Sequence, residues 1–405
     1  ASLKFLLICG VSAAVYCEHI DYRKAEEIFS NLLSAEEFND DFQYRRIFTN
    51  PVVRFTTFMR DHDKVYASKD ELFERHENFE DNVEMVEDLS LADRGTARYG
   101  INKFSDLSVV ELLQMTGLNA MGIQKELFGS SQDNRTGLEK QAIQKLFNWK
   151  RNEPRSLDWR DKGVISKVKD QGNCQCCWAF SSVGVVEAVN AIENEALVEL
   201  SVQQLVDCDK SNDGCNGGLM DYAFDYIINN GGVESEKDYP YKGVKSSQGC
   251  KANAADEKTK FTLKNYTRIP EGEEGQMKKW VAHNGPLSVG INARGLFFYD
   301  EGIIDLDERM CNPYEQNHAI IVVGYGEERK YGETIPYWIV RNSWGEDWGE
   351  KGYFRMKRGA NTCGISEYVH GVEVKKEEKA KGTKKLDNNG DGTKTLWDIL
   401  DCVKY

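Results

Sequence analysis

Four residues of this chain have the types and the order that acyl transfer by a thiol requires: Gln171, Cys177, His318 and Asn342. A thiol attacks a carbonyl only as thiolate, so it needs a lowered pKa, a base within reach and donors for the oxyanion that forms. Cys174, Cys176 and Cys177 crowd one stretch, but only Cys177 directly precedes the apolar run Trp178 to Ala188, whose spacing predicts a buried helix. A sulfur at that helix N-terminus gains from the dipole and from backbone N–H groups, both of which favour negative charge and lower the thiol pKa. The N–H of Cys177 and the side-chain amide of Gln171, returning from the preceding loop, supply two oxyanion donors. A disulfide-rich turn before a core helix explains the cysteines alone, and neither Gln171 nor the downstream partners.

The chain has six histidines, His19, His62, His76, His283, His318 and His370. The first three lie upstream of the nucleophile. His283 ends a helical pattern stopped by Gly285-Pro286, and His370 has no distinctive neighbours in sequence. His318 opens the β-branched run Ala319 to Gly326, which reads as a central strand that holds a base rigidly. It follows Cys177 by 318 − 177 = 141 residues, inside the spacing of roughly 130–150 for a nucleophile of this kind. In Tyr337-Trp338-Ile339-Val340-Arg341-Asn342-Ser343-Trp344-Gly345, an amide at Asn342 can fix the imidazole tautomer and the indole of Trp344 can shield that bond from water.

These residues stand in the motifs QGNCQCCWAF, CNGGLMDYAF, NHAIIVVGYG and YWIVRNSWGEDWGEKGYF, and with them the chain resembles the papain family of cysteine peptidases over roughly residues 50–370. INARGLFFYDEGI and RGANTCGI are most similar to the cathepsin F and cathepsin L branches. The resemblance implies an α+β fold of a helical half and a β-barrel-like half with the cleft between them, preceded by a helical inhibitory pro-region. It implies the nucleophile, base, orienter and oxyanion roles for Cys177, His318, Asn342 and Gln171, and no cofactor for catalysis. It also implies disulfides Cys174–Cys215, Cys208–Cys250 and Cys311–Cys363, leaving Cys176, Cys402 and the N-terminal Cys9 and Cys17 outside that framework. Substrate would lie along Gly217 and Gly218, beside Trp344, with a pocket lined by Leu219, Met220, Gly290, Gln316 and Tyr368 that takes an apolar residue just before the cleaved one, Tyr368 making its base shallower. Where the family has Gly-Ser before the nucleophile, this chain has Gln175-Cys176. Gln175 narrows that wall, and Cys176 reads first as a small buried residue in place of serine, second as a spare thiol open to oxidation.

The elements around these residues divide the chain. Residues 1–17 hold Lys4, an apolar stretch and small residues, the pattern of a secretory signal too short to span a bilayer. Residues 18–151 are charged, helix-like and free of cysteine after the signal. Glu71, Arg75, Phe79, Asn82 and Val86 recur at helical spacing, and Gly100-Ile101-Asn102-Lys103-Phe104-Ser105-Asp106 follows. Both resemble the pro-region motifs of the same family, which implies a zymogen whose own pro-region runs backwards through the cleft and loosens in acid. The peptidase domain is expected over 152–372. Net charge of −14 and no clustered basic face argue against nucleic acid as a partner. The partners implied are protein or peptide substrates and, by resemblance, cystatin-like inhibitors. A secretory-pathway destination, lysosomal or extracellular, fits the disulfides. Asn134 and Asn265 head glycosylation sequons.

The tail, 373–405, starts with a solvated charge run. Asp387, Asn389, Asp391 and Asp398 then have the spacing of a calcium loop. A solvated turn before a short helix fits that segment as well. Two other functions use the same residues: a papain-like ligase that gives the acyl group to an amine, and a catalytically silent secreted binding protein.

Overall fold

The computed structural model describes residues 19–35, 42–119, 153–252, 261–330 and 332–374, by their backbone over 32–35 and 42–50. Three helices open it: α1 (Tyr22–Ala35), α2 (Phe42–Asp61) and α3 (Lys69–Ala92). They close over a small apolar core of their own, in which Phe29, Phe55, Phe58, Leu72 and Phe79 are buried. Ser68 caps α3 by accepting from the Glu71 N–H, so the helix begins where the charged pattern predicts. The next segment attaches this layer to the rest of the molecule. Its strand β1 (Arg98–Tyr99) pairs antiparallel with β5 (Tyr299–Glu301), and α4 (Val109–Gln114) starts with a Ser108–Glu111 capping box.

Why the GINKFSD stretch has this composition is visible in its contacts. The Asn82 amide on α3 donates to the Ser105 and Leu107 carbonyls at 3.1 and 2.8 Å. Asp106, buried, accepts from Lys64 at 2.7 Å and from the Tyr66 hydroxyl at 2.9 Å. Arg75 forks onto both oxygens of Glu111 at 2.7 and 2.8 Å, which pulls the Glu111 carboxyl down to about 2.

Behind it lie a helical half and a β half. The helical half is built on α5 (Cys177–Asn194), buried along most of its length, with α6 (Val202–Cys208) and α7 (Met220–Asn229) packed beside it. In the β half, β3 (Leu263–Ile269), β10 (Val369–Val374), β4 (Leu287–Ile291), β7 (His318–Lys330), β8 (Glu333–Arg341), β9 (Tyr353–Lys357) and β6 (Ile303–Ile304) hydrogen-bond in that order, and β2 (Leu157–Asp158) joins β7. Helix α8 (Glu274–His283) covers the second core, around Trp280, Trp338, Trp344 and Trp348. Disulfides join Cys174 to Cys215, Cys208 to Cys250 and Cys311 to Cys363. Among the described residues no helix is long and apolar enough to cross a membrane.

Candidate active site

Strand topology brings the expected base and its expected orienter together. His318 is the first residue of β7 and Asn342 the first after β8. These strands are antiparallel neighbours, so the start of one lies beside the end of the other. His318 Nε2 lies 2.8 Å from Asn342 Oδ1, and the same oxygen accepts from the Ser343 N–H at 2.8 Å. An oxygen already serving as acceptor requires the proton on Nε2, which leaves Nδ1 with its lone pair. Nδ1 is buried and has no protein partner. The Trp344 ring stacks on the imidazole at 4.8 Å and is itself fully buried, shielding the bond from water.

Helix α5 delivers the sulfur to the same place. The backbone N–H of Ala319, the residue after His318, donates to Cys177 Sγ at 3.3 Å. No side chain caps α5; its N-cap, Cys176, is non-helical. The charge state differs from the helix-dipole expectation. Burial pushes the Cys177 thiol up, against the opposing pull of the Ala319, Trp178 and Cys177 N–H groups, and pushes His318 down to about 4. Desolvation exceeds the dipole here because both groups are covered. Both shifts favour the neutral thiol and the neutral imidazole in this covered state.

The cover is the segment after α4. Trp344 Nε1 donates to the Met115 carbonyl at 3.0 Å. Gln171 Nε2 reaches the Thr116 carbonyl at 3.5 Å as well as the Cys174 carbonyl at 3.0 Å, while Gln171 Oε1 accepts from Ser343 Oγ at 2.6 Å. The proposed oxyanion donor is thus held from two sides and has a carbonyl of the pro-segment before it. Gly117 and Leu118 donate to the Asn317 carbonyl at 3.0 and 2.9 Å. The Gly218 N–H donates to the Gly117 carbonyl at 2.9 Å, and Asn119 donates to the Gly218 carbonyl at 3.1 Å. Leu118 pairs with Gly218 as a parallel bridge.

Leu118 marks the pocket. A Cβ on Gly290 would stand 2.9 Å from Leu118 Cδ2, 2.8 Å from Gln316 Oε1 and 3.3 Å from Tyr368 Cβ, so glycine there is what leaves room for an apolar side chain. Leu219, Met220 and Tyr368 belong to the same buried cluster as Leu118. Gln316 is fixed by donating to the Gly290 and Gly364 carbonyls, and the Tyr368 hydroxyl donates to Asp221 at 2.6 Å. His370 is not the undistinguished residue its sequence neighbours indicate. It is buried against Tyr368, Phe224 and Tyr266, and burial pushes it down to about 4.

At the departure from the family pattern, it is backbone that narrows the wall: a Cβ on Gly117 would collide with the Gln175 main chain. Cys176 is buried with Sγ 3.1 Å from the Tyr241 hydroxyl, which in turn donates to the Gln171 carbonyl at 2.8 Å. Burial pushes this thiol up to about 12. Sequence reasoning missed Leu118, Met115 and Thr116 because nothing in their composition marks them. They become legible only once Gly117 is seen against Gln175. Asn134, Cys9, Cys17, Cys402 and the calcium-loop residues Asp387, Asn389, Asp391 and Asp398 lie outside the described residues. Asn265 is exposed on β3, which stands at the edge of the sheet.

The model of the papain family cysteine protease domain matches residues 153–372, and that of the cathepsin propeptide inhibitor domain (I29) matches 55–112. Cathepsin F of Drosophila melanogaster is 38% identical over 75% of this chain and 47% of its own length, so the chain spans about half of that relative. Cysteine proteinase 1 of Dictyostelium discoideum is 37% identical over 78% of this chain and 91% of its own. Among solved structures, digestive procathepsin L 3 of Tenebrio molitor aligns with a TM-score of 0.64 and 33% identity over 80% of this chain and 99% of that one. The proform of a ragweed pollen cysteine protease aligns at 0.69 and 33% identity over 82% and 88%. The chain belongs to the papain family of cysteine proteases and carries the family's inhibitory propeptide ahead of the protease domain.

Proposed function

We propose that this chain is the zymogen of a cysteine endopeptidase in which Cys177 is the nucleophile, His318 the base, Asn342 its orienter and Gln171 an oxyanion donor. The observation that carries the reading is the path of the pro-segment. It lays Leu118 over Gly290, a carbonyl before the Gln171 amide and another on Trp344, which are the contacts a peptide substrate would use.

Once the segment leaves, water and substrate reach the pair. His318 Nδ1 takes the Cys177 proton, and sulfur attacks the scissile carbonyl carbon. The oxyanion receives hydrogen bonds from Gln171 Nε2 and the Cys177 N–H. On collapse the C–N bond breaks, His318 returns the proton to the leaving amine, and an acyl-enzyme remains. A water, deprotonated by the same nitrogen, attacks that thioester and restores the thiol. Asn342 holds the ring so that Nδ1 faces the sulfur in both halves.

The Gly290 pocket selects an apolar residue before the cleaved one. Neutral extraction of the pair under the pro-segment keeps the precursor silent, and the mature chain begins near Asn152-Glu153-Pro154. Three disulfides and an exposed sequon at Asn265 fit a secretory-pathway protein, lysosomal or extracellular. The test is acid activation of the precursor, followed by hydrolysis of a fluorogenic peptide with leucine or phenylalanine before the cleaved residue. Activity should appear with loss of the pro-region and vanish in Cys177→Ala. A matured wild type that labels at its thiol yet cleaves no such peptide would contradict the pocket assignment.

A further inference from the structure

Lys103, inside the GINKFSD stretch, makes contacts that inhibition of the nucleophile does not need. Its ammonium sits 2.6 Å from Asp347 Oδ1, 2.8 Å from the Trp344 carbonyl and 3.5 Å from Asp170 Oδ2. These oxygens come from two loops of the protease domain. The loops are bonded to each other, with Gln171 N–H donating to the Ser343 carbonyl and Gly345 N–H to the Lys169 carbonyl, at 2.9 and 3.2 Å. Asp170 is held further by the Gly172 N–H at 2.8 Å. The floor of the notch is Gly345, at φ +84°. A Cβ there would stand 2.7 Å from Asp347 Oδ1, 3.2 Å from Asp170 Oδ2 and 3.2 Å from Lys103 Nζ. Only glycine adopts that backbone without strain and leaves the space that the ammonium fills.

The notch also has a defined place along the cleft. Reading from the Gly290 pocket, the pro-segment presents Leu118, then Gly117 against Gln175, then Thr116 before Gln171, then Met115 on Trp344. Lys103 lies beyond, on the carbonyl of that same Trp344. If the pocket takes the residue before the cleaved one, the nucleophile comes next and the notch faces the residues that depart with the amine.

We propose that Asp170, Asp347 and the Trp344 carbonyl, arranged around Gly345, form a subsite for a lysine or arginine side chain of the substrate on the leaving-group side of the scissile bond. The inference rests on the endopeptidase reading above and names a second determinant of its substrates. Maturation removes the pro-region ammonium and leaves two carboxylates facing the position where the leaving peptide emerges. The two carboxylates are half to two-thirds exposed, so the preference is electrostatic, moderate and weakened by salt.

Internally quenched peptides with leucine in the pocket position and lysine, alanine or glutamate at the first two positions after the cleavage point test this on the acid-activated enzyme. The kcat/KM ratio of lysine to glutamate peptides should be roughly five- to tenfold at low ionic strength. It should shrink in high salt and fall to within about twofold of unity in Asp170→Asn/Asp347→Asn. Taking the ratio cancels any general damage to the variant. A fluorogenic amide that ends at the cleaved residue reports the peptidase reading separately. Hydrolysis of that amide together with a wild-type ratio near one overturns the subsite alone, as does a ratio that survives in the double variant. Failure to cleave either substrate overturns the endopeptidase reading and the subsite with it.

Discussion

The acidic clamps of the pro-region, Asp106 and Glu111, and the catalytic cleft treat polar groups in opposite ways. Asp106 in the pro-region is saturated, with Lys64 on one oxygen and Tyr66 on the other, and Glu111 takes both arms of Arg75. In the cleft, His318 Nδ1, Asn342 Nδ2 and Gln316 Oε1 are all buried without a protein partner. Saturation makes a rigid clamp whose removal of one partner is costly. An orphaned atom costs free energy for as long as it stays dry, and it is tolerated where a proton or substrate is to arrive. The difference separates the clamps of the pro-region from the residues proposed to react.

Replacing the central orphan should have the largest effect. His318→Ala in the activated enzyme removes the proton acceptor, and kcat/KM should fall by about 10³-fold or more with thermal stability intact. Retention of a tenth of the activity would show that another group accepts the proton. On the saturated side, Asp106→Ala strands the buried Tyr66 hydroxyl and leaves the part-exposed Lys64 ammonium with the Lys103 carbonyl alone. The pro-region should lose up to about 3 kcal/mol, seen as activation at a higher pH and faster cleavage of the pro-region by an added protease. Unchanged activation would mean that the Arg75–Glu111 pair and the apolar core hold the clamp alone. Asn342→Ala should be milder than either. It leaves His318 Nε2–H unpaired, a cost of about 1–3 kcal/mol, or roughly ten- to hundredfold in rate.

His76 sharpens the comparison because it is an orphan in the same layer as those clamps, where Arg54 Nε and Glu80 Oε1 are also buried without a partner. It packs between Phe29 and Phe55 at ring distances of 5.1 and 5.0 Å, with Nε2 buried and unpartnered. Burial, aided by the charge of Arg54, lowers its pKa. A group with a lowered folded pKa contributes stability above its unfolded value, near 6.5 for histidine, and loses it as pH falls toward the folded value. His62 shifts in the same direction, again chiefly by burial. Glu111 is also lowered, but its window starts at the ordinary carboxylate range and ends near 2, so it contributes later in acidification. The pro-region should therefore begin to weaken just below pH 6.5. His76→Phe keeps the aromatic packing and should move the pH of half-maximal activation downward. An unshifted midpoint would assign the acid response to carboxylates instead.

What was legible in the sequence follows the range of the forces involved. Cys177 at a helix start and His318 at a strand start are local patterns, read from the apolar runs that follow each. Asn342 needed only the turn after a strand. The upward push on the Cys177 thiol was not legible, because the helix dipole is written in the adjacent residues whereas burial depends on packing by distant segments. Lys103 is a similar case. Its partner Asp347 lies 244 residues downstream, and nothing in GINKFSD distinguishes a lysine facing solvent from one lodged in a notch. His370 gained its neighbours only when β10 paired beside β3 and β4.

The central claim is that the pro-segment silences the enzyme by keeping Cys177 and His318 buried and neutral, and it is tested most directly by alkylation of Cys177. The rate with iodoacetamide would be followed from pH 4 to 9 in precursor and activated enzyme, both lacking residues 1–17 and carrying Cys176→Ser and Cys402→Ser so that one thiol reports. The activated enzyme should react rapidly well below the ordinary thiol range, and the precursor should stay inert across the series. Equal rates in the two forms would contradict the account.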